Sequence, residues 1–169
     1  MGLAVTILIA LVAGGLWALV LRRLRRGRRV IGAPGDVSKV LRAYTAGRWD
    51  TVIADAPGCL DRHTSDDAPW RAALELALGH ALVQRDRSAE AVGHLEIGLA
   101  RQAAHSSAEG TGSASSEAKM RHMLGYALTT TGRIDEAREQ YERALALPGI
   151  DQAVRGRVTA ALAELDTAG

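Results

Sequence analysis

The 169-residue chain contains no Phe and no Asn, only two lysines (Lys39 and Lys119), and one cysteine, Cys59. Without Asn there is no acceptor for N-glycosylation. A single cysteine cannot close an intramolecular bridge, so the fold cannot depend on an oxidising compartment, and Cys59 reads as a small buried apolar residue. Aromatic residues make up 4% of the chain. The core must therefore come from Leu, Ala and Val, which suit close helix packing. Equally missing are a Ser-His-Asp order, a glycine-rich phosphate loop and zinc-ligand spacing, so no catalytic residue, cofactor or metal ligand is assigned. At this length two folded enzymes do not fit.

Leu3 to Leu21 carry no charge, and nineteen helical residues at about 1.5 Å each span roughly the 30 Å of a bilayer core. Arg22, Arg23, Arg25, Arg26, Arg28 and Arg29 follow at once. A secretory signal would place its charge before the apolar run, so residues 1–29 read as a transmembrane anchor with a basic juxtamembrane flank. The positive-inside rule then gives a single-pass cell-membrane protein, its N-terminus outside and its C-terminal domain cytoplasmic. The arginine flank is expected to meet anionic lipid. Ala10, Gly14 and Ala18 share one face of that helix and offer a surface for homodimerisation. Without the six arginines, 15 basic residues stand against 19 acidic ones, which excludes a nucleic-acid partner for the remainder.

Residues 30–35 form a linker with Gly32, Pro34 and Gly35, after which Asp36 is placed to cap a helix. From there apolar residues recur at three-and-four spacing: Val37, Val40, Leu41, Tyr44; Leu74, Leu78, Ala81, Leu82; Ala91, Leu95, Leu99; Met123, Leu124, Leu128; Ala137, Tyr141, Ala144, Leu145. Asp67 and Pro69 signal a helix start before the second set. No stretch alternates as a half-buried strand would, so the fold class is all-α. Short helices joined by tight turns cannot bury their stripes singly and must stack as an α-solenoid.

Residues 124–147, LGYALTTTGRIDEAREQYERALAL, resemble the tetratricopeptide repeat (TPR). Leu124 and Gly125 take its Leu-Gly positions, Leu128 stands for its Tyr, Ala137 is the small residue at the helix crossing and Tyr141 stands for its Phe. Arg121 occupies the usual Trp position, and Pro148 arrives one residue early. Residues 71–100 repeat the pattern with Leu78, Gly79, Leu82, Ala91 and Leu95, 46 residues earlier at the glycine, with Gly98 in a place normally held by Ala. The excess over 34 residues is assigned to a polar loop around 103–117. Residues 40–56 give a weaker first copy with Gly47 at its turn, and Pro57 should end or kink its second helix near Ala56. The resemblance implies a TPR-like domain over 36–169. Its repeats fall at about 36–66, 72–105 and 118–151, with a capping helix at 151–165. With the abundant Ala, Arg and Gly it suggests a membrane-anchored bacterial member.

The resemblance further implies a concave groove lined by the first helix of each pair. Its lining is Leu41, Tyr44 and Thr45, then Leu76, His80, Val83 and Gln84, then Lys119, His122, Tyr126, Thr129 and Thr130. Only Lys119 among them is charged, so the Lys, Arg and Asn set that grips a chaperone tail is missing. The expected partner is a protein segment, extended or helical, held by apolar contacts and a few hydrogen bonds. The implied function is a membrane-tethered adaptor or scaffold; the alternative is an accessory subunit docking through its membrane helix. His80 and His122 lack a third ligand for a metal. His63 with Asp61, Asp66 and Asp67 reads as a capping segment.

Overall fold

The computed structural model describes residues 33–65, 68–109 and 114–168. They form seven helices: α1 (Gly35–Thr45), α2 (Trp49–Arg62), α3 (Pro69–Val83), α4 (Ser88–Glu109), α5 (Ala114–Thr130), α6 (Ile134–Ala146) and α7 (Gln152–Ala168). There is no strand among the described residues. Each of α1/α2, α3/α4 and α5/α6 packs as a hairpin. The first helix of each hairpin also touches the first helix of the next, α1 to α3, α3 to α5 and α5 to α7, whereas α2, α4 and α6 do not touch one another. This two-layer order, with α1, α3, α5 and α7 side by side, is that of a helical-repeat solenoid.

One turn, made three times, sets the hairpins. Arg48, Arg87 and Arg133 each donate their backbone N–H to the carbonyl five residues back, Ala43, Leu82 and Leu128, at 2.9 Å in every case. The residue before each arginine has positive φ: Gly47 at 68°, Asp86 at 57° and Gly132 at 78°. Glycine reaches that left-handed region without a Cβ clash, and Asp is among the few other residues that tolerate it. The middle hairpin therefore keeps the turn without the glycine. Pro69 begins α3, where its missing N–H costs no hydrogen bond.

Side-chain size sets how closely the helices approach. A Cβ on Gly79 would lie 2.6 Å from Leu95 Cγ, and one on Gly98 would lie 2.6 Å from Leu76 Cγ, so α3 and α4 each seat a leucine over a glycine of the other. Between α5 and α6 the Tyr141 ring covers Gly125 in the same way. Ala91 and Ala137, the small crossing residues, are fully buried, and so is Val52 in their register on α2. Leu74, Leu78, Leu95 and Leu128 complete the core between the layers.

Several expectations are corrected. Among the described residues no helix is long and apolar enough to cross a membrane. The longest, α4, carries Glu90, Glu96 and Arg101 along its length, and the apolar α3 has 15 residues, about 22 Å. This overturns the single-pass placement with an outer N-terminus and a cytoplasmic domain. The span expected over 3–21, the flank Arg22–Arg29 and the Ala10, Gly14 and Ala18 face lie outside the described residues.

Pro57 does not end α2. It sits on the exposed side, and continuing the helix buries Cys59 and Leu60. Asp36 is not a cap: the N-cap is Pro34, and Asp36 stands one residue inside α1. It instead accepts hydrogen bonds from Arg62 at 2.9 Å and meets His63 Nε2 at 3.0 Å, fastening the end of α2 to the start of α1. The polar stretch 103–117 is helical through Glu109 and again from Ala114. Its Ala and Glu content favours helix more than its Ser and Gly oppose it.

Candidate functional site

The layer α1–α3–α5–α7 carries Tyr44, His80, His122 and Tyr126, each exposed or half-exposed. At the α1/α3 junction the Tyr44 hydroxyl lies 2.8 Å from His80 Nδ1. The Tyr44 and His80 rings meet edge to face with centroids 5.5 Å apart. Trp49, the first residue of α2, closes the triangle at 5.7 Å from Tyr44 and 5.1 Å from His80. All three are half-buried, and Leu41 lies one turn before Tyr44 with the same partial exposure. Burial pushes the Tyr44 phenol up and the His80 imidazole down from their ordinary values. A neutral His80 accepting a hydrogen bond from the Tyr44 hydroxyl at Nδ1 agrees with both shifts. Arg85, just past α3, holds Asp50 through two bonds of 2.7 and 2.8 Å, which pins the turn beside Trp49.

The other end of the layer has different chemistry. His122 on α5 packs against the Tyr141 ring with centroids 5.8 Å apart. Burial pushes its imidazole down, and the positive charge of Arg157 on α7 adds to that. Tyr126 is 46% exposed, the most solvent-facing aromatic ring described. Lys119, Gln84, Thr45 and Thr130 are exposed and Thr129 is half-buried.

Two residues expected in the groove are not on its surface: Leu76 and Val83 are buried, Leu76 because Gly98 opens a seat for it. His80 and Tyr126 share a register on successive helices, but His80 is engaged by Tyr44 instead. Trp49 was missed as a site residue because the repeat pattern marks that position only as a helix start. Its distance from Tyr44, five residues across a tight turn, is the signal that could have found it.

A second cluster joins Cys59, Asp36, Arg62 and His63. The Cys59 thiol donates to the Asp36 carboxylate at 3.6 Å, the same carboxylate that Arg62 and His63 engage. Burial, followed by the Asp36 charge, pushes the thiol up, the opposite of an activated nucleophile. Arg62 and then His63 hold the Asp36 carboxyl well below the usual carboxylate range. Asp66 and Asp67 of the expected His63 segment lie outside the described residues, and Asp61 is exposed. No group of three or more metal-ligating side chains occurs among the described residues.

The third cluster is the polar residue at the position usual for Trp. Glu75, only 5% exposed, meets His94 Nδ1 at 2.7 Å. In the same register on α5, Arg121 bonds Gln140 at 3.0 Å. Each pair ties the two helices of its hairpin together, which is a structural use.

The histidines carry a pH expectation. The folded values of His80 and His122 lie below the ordinary 6.5, so the unfolded chain binds more protons as acid is added. Stability from neutral His80 and His122 is thus present above about 6.5 and is lost as the pH falls through their folded values. The depressed carboxylates Asp50, Glu90 and Glu136 lose theirs at lower pH, beginning below about 4.5. Melting temperature should drop between pH 7.5 and pH 5, and His122→Gln should flatten that slope; an equal slope in the variant contradicts the assignment.

The fold is TPR-like. Among solved structures the chain resembles the first TPR of Spaghetti (RPAP3) bound to the HSP90 peptide SRMEEVD, with a TM-score of 0.57 and 19% identity over 79% of this chain and 89% of that one. It also resembles the first TPR domain of human RPAP3, with a TM-score of 0.54 and 18% identity over 79% and 94%. No family model and no curated protein matches the chain.

Proposed function

We propose that the chain is a protein-binding scaffold that holds a segment of its partner along the face of α1, α3 and α5. The observation that carries this reading is the concentration, beside the half-buried Leu41, of half-buried and exposed ring, hydroxyl and amide groups on one layer: Tyr44, His80, Gln84, His122, Tyr126 and Thr130. A core has no use for an outward Tyr126, whereas interfaces draw on tyrosine for area and a hydroxyl together. Solenoids use such continuous faces to bind partners. The HSP90 peptide carried by the RPAP3 neighbour supports a peptide as the occupant.

Changing His80→Ala together with Tyr126→Ala should weaken capture of the main partner by about 2 kcal/mol or more, roughly thirtyfold. Helicity by circular dichroism should stay near the parent's. Undiminished capture by a folded double variant would remove the groove from the mechanism.

A further inference from the structure

The helix α7 (Gln152–Ala168) is packed on one side only. The helix α3 lies against α1, α2, α4 and α5, and α5 against α3, α4, α6 and α7, whereas α7 meets only α5 and α6 among the described residues. Val154, Val158 and Leu165 turn to those contacts and are buried. On the opposite side Ala153, Gly156, Ala160, Ala163 and Thr167 recur at helical spacing and are all exposed. A Cβ on Gly156 would meet nothing within 4 Å, so none of the described residues covers the face there. A solenoid in water needs a polar outer face on its terminal helices, and α1 at the other end exposes Lys39 and Arg42. The outer face of α7 carries no charged side chain. Its charges stand along the two borders of that face, Arg157 and Glu164 on one and Arg155 and Asp166 on the other.

We propose that this face binds a second copy of the chain, α7 against α7 in antiparallel order about a two-fold axis, so that the first layer runs on from one copy into the other. The charge pattern selects that occupant. An axis level with Ala160 and Ala161 brings each border of one helix against the same border of the other. Arg157 and Glu164 are equidistant from that axis, and so are Arg155 and Asp166. Both borders therefore set an arginine of one copy opposite a carboxylate of the other, from a single choice of axis. A parallel pair would set Arg155 beside Arg157 and Glu164 beside Asp166, like against like. With the antiparallel axis, Ala153, Gly156, Ala160, Ala163 and Thr167 of the two copies interleave along the seam, and side chains this small admit helices to about 8 Å, the close end of the usual spacing. Asp166 already holds Arg138, so Arg157 with Glu164 is the pair that bears most on the register. The 17 residues of α7 give a seam of about 25 Å. A seam of one helix buries less than the roughly 1,200–2,000 Å² of a stable interface, so the dimer should be weak and concentration-dependent, with a Kd of micromolar order.

The test is disulfide trapping in the full chain, which reads this contact whatever other routes of self-association exist. Ala160→Cys, Ala153→Cys and Thr167→Cys each alter an exposed position, and Cys59 is buried, so the parent chain serves as the blank. Under mild oxidation Ala160→Cys should form a disulfide-linked dimer about tenfold faster than Ala153→Cys, because position 160 meets itself near the axis, while the two copies of position 153 lie roughly 20 Å apart along the seam. A mixture of Ala153→Cys with Thr167→Cys should link where neither does alone. Adding Arg157→Glu should slow linkage at 160 about tenfold, and adding Glu164→Arg to that variant should restore it, as only a pair between copies can. Recovery in the doubly exchanged chain also separates a lost contact from a lost fold. Linkage at 160 no faster than at 153, or rapid linkage at 153 by itself, overturns the antiparallel dimer. Linkage at 160 that ignores Arg157→Glu, or that Glu164→Arg does not restore, overturns the charge register that selects a second copy.

Discussion

Replacing Gly79 by Ala is expected to destabilise the protein, while the same replacement at Gly93 is expected to stabilise it. Both glycines are helical, and removing either from an exposed helix would gain about 1 kcal/mol through propensity alone. At Gly93 nothing lies within 4 Å of the added Cβ, so that gain is realised. At Gly79 the Cβ would fall 2.6 and 2.9 Å from Leu95 side-chain atoms and 3.2 Å from the Leu95 backbone nitrogen. Leu95 is fully buried and cannot swing away, and the backbone contact requires the whole of α4 to move. Overpacking of this kind costs about 1–3 kcal/mol, more than the propensity term. Thermal melts of the two variants should shift in opposite directions. A rise for both would mean that α3 and α4 do not approach at Gly79.

The larger loss is expected from Trp70→Ala. Trp70 is 5% exposed in the first turn of α3, and the His63 ring meets it edge to face at 5.8 Å. The neighbouring Arg71 donates to the carbonyls of Leu60 and His63 at 3.2 and 2.6 Å, so this is where the first hairpin is fastened to the second. Deleting a buried indole commonly costs about 3–5 kcal/mol. In a repeat array stability is shared between neighbours, so the loss should fall first on α1 and α2. The Tyr44–His80 contact would then open, and the His80 imidazole should return toward its ordinary value. Histidine resonances followed through an NMR titration would show it; an unchanged His80 titration with a lowered melting point would mean that the junction does not position the ring cluster.

The helices were legible in the sequence because their signals are local. Pro69, Gly47 and Gly132 mark a start and two turns by conformational preference alone, and the buried residues Leu74, Leu78, Leu95 and Leu128 follow helical spacing. The failures are tertiary. Pro57 argues for a break by any local rule, but the burial of Cys59 and Leu60 and the anchoring of Arg62 and His63 on Asp36 outweigh it. Asp86 carries a left-handed turn that only its equivalence to Gly47 and Gly132 reveals. In the site, repeat position placed Tyr44, His80, Lys119 and Tyr126 on one layer, but it also put Leu76 and Val83 there. Whether a groove-register side chain points out depends on the size of the residue beneath it, as Gly98 shows for Leu76. Trp49 comes from α2, outside the helices to which the pattern assigns the groove.

Site-specific photocrosslinking tests the central claim, that partners bind on the face of α1, α3 and α5, most directly. Tyr126 on α5 and Ile97 on α4 are almost equally exposed, at 46% and 45%, but belong to different layers. A benzophenone side chain introduced at one or the other samples the two faces with similar solvent access. The account predicts a covalent adduct with the partner from position 126 and none from position 97; an adduct from 97 alone would contradict it.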